Sequence, residues 1–191
     1  MTQASSLSAT STCACPWPAE VLALARSVKV VFLDVDGVLT DGGLYISEAG
    51  ETLKRFNTLD GHGLKLLQEA GIEPAVITGR DSPALRHRLQ ALGVVHARYG
   101  TTNKVPAAQT ILQALNLTWE QAAAMGDDWP DLPVLQRVAL AVAPTNAHPE
   151  VLARAHAVTQ KAGGHGAVRE LCDGILQATG HYNRLLAQEG I

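Results

Sequence analysis

Apolar residues recur along this chain in two spacings, and the two spacings take turns. The run Val30-Val31-Phe32-Leu33 inside 28–34 has no polar interruption, as expected of a strand buried on both faces. Residues 74–78, 94–99, 122–125 and 138–142 repeat that pattern, and 155–159 reads as a strand edge. Between them the spacing becomes helical, over 60–70, Ser82–Leu92, 103–115, 130–137, 148–155 and 166–178, with a short helix predicted near 18–27. Gly71 and Gly93 stop two of these helices, and Ser82-Pro83 opens one with an N-cap and an N1 proline. Thr118-Trp119-Glu120-Gln121 has the form of a capping box. Residues 43–57 break the alternation: two β-prone arms flank Glu48-Ala49-Gly50, which predicts a hairpin with Gly50 at positive φ.

Strands alternating with helices of about ten residues imply βαβ units. The expected fold is a Rossmann-like three-layer α/β/α domain with a mostly parallel sheet, plus a β-hairpin inserted after the first strand. The length of 191 residues suits one such domain. We expect it to span 17–180, after a Ser/Thr/Ala-rich leader (1–16) expected to be disordered and before a C-terminal tail (181–191).

Charge and composition narrow the function classes. A net charge of -3 leaves no nucleic-acid footprint. No apolar run approaches the roughly 18 residues of a membrane span, and the N-terminus has neither the basic start nor the apolar core of a secretory signal. Cys13, Cys15 and Cys172 show no zinc spacing and fit reduced thiols in a cytoplasmic protein.

In a sheet of this kind, ligands bind beyond the carboxyl ends of the strands. Asp34-Val35-Asp36-Gly37 follows the first strand, Thr78-Gly79-Arg80 the second, and Gly126-Asp127-Asp128 the fourth; Lys104 starts the helix after the third. Carboxylates gathered at neighbouring strand ends repel one another, and a hard cation with oxygen ligands, Mg²⁺, relieves the repulsion. A hydroxyl and a lysine beside them suit a phosphate. One aspartate then fits the nucleophile of an aspartyl-phosphate, and another, two residues on, a general acid and base.

DVDGVLTDG, TGR, the lysine and GDDWPDLPV resemble the four motifs of the haloacid dehalogenase superfamily of phosphatases. GDDWPDLPVL, VAPTNAHPEV and KAGGHGAVREL narrow the resemblance to the 3-deoxy-D-manno-octulosonate 8-phosphate phosphatase family, over roughly residues 19–180. That resemblance implies a sugar phosphate substrate and these roles. Asp34 is nucleophile and metal ligand. Asp36 is general acid and base and gives its carbonyl to Mg²⁺. Thr78 and Lys104 hold phosphoryl oxygens, Asp127 completes the protein's ligands to the metal, and Asp128 and Asp131 orient groups around it. Gly37, Gly79, Arg80, Arg88 and His165 fall on the substrate side. The resemblance also implies a capless homotetramer whose hairpin packs between subunits.

Plainer readings exist for single residues. Asp34 and Asp36 alone fit a strand-end turn, Thr78-Gly79-Arg80 a strand-to-helix turn, and Lys104 a solvated helix start. Asp131 fits a charge complementing its helix's first turn, and Arg88 a solvated face with Arg86. His62, His87 and His96 carry no pattern, and His148 before a proline reads as structural. Two positions depart from the family pattern: His165 stands where arginine is usual, and Leu59 where a polar residue is usual. Two other functions stay open: a phosphatase for a nine-carbon sugar acid such as 2-keto-3-deoxynononate 9-phosphate, which Arg80 disfavours, and a non-catalytic oligomerisation module.

Overall fold

A computed structural model describes residues 17–190; the leader 1–16, with Cys13 and Cys15, lies outside the described residues. The elements run α1 (Ala19–Ala25), β1 (Val30–Leu33), β2 (Tyr45–Ser47), β3 (Gly50–Leu53), α2 (Thr58–Glu69), β4 (Glu73–Ile77), α3 (Pro83–Leu92), β5 (His96–Arg98), α4 (Lys104–Leu115), β6 (Ala122–Met125), α5 (Leu132–Leu135), β7 (Leu140–Ala143), α6 (Pro149–Leu152), β8 (Ala157–Val158), α7 (Ala167–Ala178) and α8 (Tyr182–Gln188).

Six strands form one parallel sheet in the order β5-β4-β1-β6-β7-β8. The side-chain alternation of β1 divides the core into two layers. Val31 and Leu33 pack with α1, α2, α3 and α7, including Val21, Leu64, Leu67, Leu89 and Ile175. Val30 and Phe32 pack on the other face with Ile111, Leu112 and Val134 of α4 and α5. The three-layer architecture follows. The antiparallel pair β2–β3 stands apart from this sheet, as expected of the hairpin, and Gly50 takes φ 91° at its turn.

Three local differences from the sequence pattern have physical causes. Helix α2 starts at Thr58 rather than at 60, because the Asn57 side chain accepts the Leu59 N–H at 2.8 Å as an N-cap. The helix expected over 130–137 begins instead as a 3₁₀ turn, Trp129–Asp131, whose proline and aspartate favour a tight start; α5 adds only one turn. The expected tail carries α8, docked through buried Leu185.

Candidate active site

Register places the floor of the site. Leu33, the last residue of β1, pairs with Val76 of β4 and Met125 of β6. The next residues on each strand, Asp34, Ile77-Thr78 and Gly126-Asp127, therefore emerge side by side. The Asp34 N–H donates to the Met125 carbonyl at 3.1 Å and the Thr78 N–H to the Arg98 carbonyl at 3.0 Å, so these loops leave the sheet already tethered.

Lys104, at the start of α4, reaches over this floor. Its Nζ donates to Asp34 Oδ1 at 2.7 Å and to Asp131 Oδ1 at 2.6 Å. Asp131 Oδ2 accepts the backbone N–H groups of Asp127 (3.0 Å) and Asp128 (3.3 Å). Both Asp131 oxygens are thus engaged within the protein, and the residue orients Lys104 and the Asp127 loop together. Asp127 differs: its Oδ1 is buried with no hydrogen-bond partner among the described residues, an arrangement that costs free energy unless something binds there. One carboxylate oxygen from each of Asp34, Asp127 and Asp131 lies within 4.8 Å of the other two. An all-oxygen set with an unpartnered buried oxygen fits a hard divalent cation.

The charge crowding shows in the acidities. Burial, and then Asp131, push the Asp34 carboxyl up to about 6 against the pull of Lys104. Burial, and then Asp34, push Asp127 to about 7. Burial pulls Lys104 down, but Asp34 and Asp131 outweigh it and leave the ammonium above its ordinary value. A divalent cation would relieve both carboxylates.

Gly37 follows at φ 96°, a left-handed conformation open to glycine. A Cβ there would collide with the Asp127 carboxylate, so the bare backbone lets the two loops touch. The Asn146 amide clamps the same loop, donating to the Gly37 carbonyl at 3.1 Å and accepting the Gly163 N–H at 2.6 Å. The cleft above the floor measures about 340 Å³ and is lined by Asp34, Asp36, Thr78, Gly79, Arg80, Lys104, Asp127, Asp128 and Asp131, with Thr101 and Thr102. The Thr78 Oγ1 accepts the Arg80 N–H at 3.2 Å, which leaves its hydroxyl proton free to donate into the cleft.

At the mouth, the hairpin supplies two residues that sequence reasoning missed. Lys54 pairs with Asp36, and Glu51 Oε2 binds Arg80 Nη2 at 2.7 Å. Their sequence signal was slight: opposite charges three apart in a β-prone hairpin arm. Arg88 and His165 are not among the residues lining the cleft. Arg88 donates to the Asn57 carbonyl at 3.2 Å and lies over the Phe56 ring, where Gly61 leaves it room. His165 Nδ1 is 2.9 Å from the Gly163 carbonyl and Nε2 is 3.4 Å from Arg55 Nη1, so the first nitrogen donates and the second accepts. Leu59 is exposed. His148 caps α6 and accepts the Trp129 Nε1–H at 3.0 Å, a structural role.

A profile for haloacid dehalogenase-like hydrolases matches residues 99–171. The 3-deoxy-D-manno-octulosonate 8-phosphate phosphatase of Escherichia coli K12 is 43% identical over 177 residues, 93% of this chain and 94% of that protein. The chain belongs to the 3-deoxy-D-manno-octulosonate 8-phosphate phosphatase family. The crystal structure of the Yersinia pestis phosphatase is similar at TM-score 0.85 and 42% identity, covering 86% of this chain and 89% of that one. The Moraxella catarrhalis phosphatase, crystallised with magnesium, phosphate and the octulosonate, is similar at TM-score 0.86 and 34% identity, covering 88% and 97%. Two structural relatives hold a metal, magnesium in the Moraxella catarrhalis phosphatase and cobalt in that of Haemophilus influenzae.

Proposed function

We propose that this chain hydrolyses 3-deoxy-D-manno-octulosonate 8-phosphate to the octulosonate and inorganic phosphate, in lipopolysaccharide sugar synthesis. The observation that carries the reading is Asp34, whose carboxylate stands 2.7 Å from the Lys104 ammonium at the floor of an oxygen-lined cleft, in a chain of this family.

The residues suit two displacements at phosphorus. Asp34 attacks, a P–O bond forms to its carboxylate, and the ester P–O bond breaks as Asp36 gives its proton to the leaving sugar oxygen. Water, losing a proton to Asp36, then displaces Asp34 from the aspartyl-phosphate. Lys104 and the Thr78 hydroxyl hold the phosphoryl oxygens that do not react, and Asp128 and Asp131 orient the groups around them. Mg²⁺ is the cation we assign, held by the carboxylates of Asp34 and Asp127 and the backbone carbonyl of Asp36; when bound it neutralises the floor and the phosphoryl charge. Gly37 and Gly79 let backbone approach the ligand. Arg80 at the mouth is the residue for the sugar acid's carboxylate. Arg88 and His165 have substrate roles only if a second copy completes the site.

A homotetramer is part of the reading. Its support is the hairpin, where Leu44, Tyr45, Ile46 and Leu53 are all exposed, apolar side chains that association would cover. Light scattering on the eluting protein tests it, and a monomer overturns it. A cytoplasmic setting is also part of the reading, in keeping with the free buried thiol of Cys172. Among the described residues, no helix is long and apolar enough to cross a membrane.

The decisive experiment measures phosphate release, with and without Mg²⁺, over sugar phosphates that include the eight- and nine-carbon keto acids. A preference of about tenfold or more for the octulosonate, about 1.4 kcal/mol in transition-state binding, supports the assignment. Equal turnover across the panel overturns the substrate, and no Mg²⁺-dependent release from any member overturns the activity.

A further inference from the structure

Lys54 follows directly on β3, and its side chain is 1% exposed. An ammonium so withdrawn from water needs partners. Among the described residues it has two: Asp36 Oδ1, and Glu51 Oε1 at 2.7 Å. Glu51 is also bound by Arg80, whose Nε lies 3.7 Å from Asp36 Oδ2. The four side chains close a ring of two cations and two anions across the mouth of the cleft.

The ring treats the two oxygens of Asp36 unequally. Oδ1 is fixed by a buried ammonium that has no lone pair to offer and three hydrogens to donate. Among the described residues Oδ2 has only a long contact to Arg80, which is 46% exposed and itself lines the cleft. A carboxylic acid beside such an ammonium keeps its proton on the other oxygen. A carboxyl anchored at one end has also lost its freedom to rotate the reactive oxygen away.

We infer that Lys54 is a positioning residue for the reaction: it anchors Asp36 Oδ1, so that Oδ2 is the atom that delivers the proton to the leaving sugar oxygen and later receives one from water. The inference rests on the reading of Asp36 as general acid and base. It gives the hairpin a role in the chemistry of its own subunit. Lys54 touches neither phosphorus nor leaving group, and its effect is confined to the two proton transfers of Asp36.

That confinement makes a test. A sugar alkoxide leaves only with a proton, whereas the nitrophenolate of p-nitrophenyl phosphate leaves without one. The full chain with Lys54→Met is compared with the parent on the octulosonate 8-phosphate and on p-nitrophenyl phosphate, with Mg²⁺, in single-turnover reactions that follow release of the leaving group, because the later hydrolysis of the aspartyl-phosphate uses Asp36 with both substrates. The expected result is a fall of about a hundredfold in the rate constant for release of the sugar, against a fall of less than about fivefold for release of nitrophenolate. Retained single-turnover release of nitrophenolate also shows that the variant is folded and its nucleophile intact. Parallel losses of leaving-group release on both substrates, or unchanged release of the sugar, overturn the assignment. If Lys54→Met does not fold, Lys54→Arg is measured identically: it keeps the charge but moves the anchor, so a selective loss on the sugar phosphate supports the inference and a parallel one overturns it. A parent that releases phosphate from neither substrate overturns the phosphatase reading instead.

Discussion

At the floor of the cleft Lys104 is 6% exposed and is gripped by two carboxylates at 2.7 and 2.6 Å. At the mouth Arg80 is 46% and Arg55 54% exposed, and each holds a carboxylate from water. Burial separates the floor from the mouth's arginines but not from Lys54, which is as withdrawn as Lys104; the balance of charge separates floor and mouth throughout. The floor sets three carboxylates, Asp34, Asp127 and Asp131, against one ammonium, an excess of two negative charges. The ring at the mouth sets Asp36 and Glu51 against Lys54 and Arg80 and is balanced. The floor is therefore incomplete without a divalent cation and the mouth is complete as it stands. Low dielectric makes each floor interaction strong and each missing partner costly; at the mouth, water screens its exposed arginine pairs.

Removing a floor charge should break that contrast most visibly. Asp34→Asn should lower phosphate release on the order of a thousandfold or more, because the amide is no nucleophile. The metal-free variant should nonetheless melt at a higher temperature than the parent, since it removes one member of a crowded anionic set. Near-parental turnover would remove Asp34 from the chemistry, and a lower metal-free Tm would mean that the floor is not strained by its charges.

Gly37→Ala tests the close approach in the same place. The methyl must displace the Asp127 carboxylate, and a side chain at φ 96° adds backbone strain of about 1–2 kcal/mol. We expect Mg²⁺ affinity by calorimetry to weaken about tenfold or more. Unchanged affinity would show that Asp127 does not need its present position.

The charge excess also fixes the sign of a pH effect. Asp34 and Asp127 are raised to about 6 and about 7, well above their unfolded values, so the metal-free folded state holds more protons than the unfolded chain. The contribution of these two groups to stability is then full at low pH and is lost as pH rises through their folded pKa values. Without metal, Tm should be higher near about pH 5.5 than near about pH 8. Saturating Mg²⁺ should reverse the order, because the metal requires both carboxylates ionised and loses to protons at the lower pH. Two parallel pH profiles in scanning calorimetry decide it, and identical slopes would mean that the cation is not held by this pair.

The same contrast separates what was legible in the chain from what was not. Asp34, Thr78 and Asp127 each stand one or two residues past a strand of a parallel sheet, and strand register carries them to one edge whatever their side chains do. Lys104 is set by the start of α4 in the same way. Lys54 and Glu51 reach Asp36 and Arg80 across 18 and 29 residues of sequence from a hairpin outside the main sheet, so no periodicity announces them. Arg88 shows the converse: its helix was legible, but the opening at Gly61 that draws its guanidinium toward α2 and away from the cleft was not. The Asn57 cap was missed for a similar reason, since a single side-chain oxygen moved the start of α2 to Thr58.

The smallest expected effect lies at the outermost pair. Arg55 Nη1 donates to Asp41 Oδ2 at 3.1 Å and faces His165 Nε2 at 3.4 Å. With more than half of its side chain in water, Arg55 holds Asp41 only through a screened contact, and Asp41 has a second tether in the Gly43 N–H at 3.0 Å. Arg55→Gln should therefore cost less than about 0.5 kcal/mol in urea denaturation, and the cost should vanish near about 1 M salt. Turnover on a small aryl phosphate should be unchanged, because no contact of Arg55 reaches the floor. A loss above about 2 kcal/mol, insensitive to salt, would place this pair in a desolvated environment. The hairpin face would then be covered in solution, and this part of the mouth would behave as the floor does.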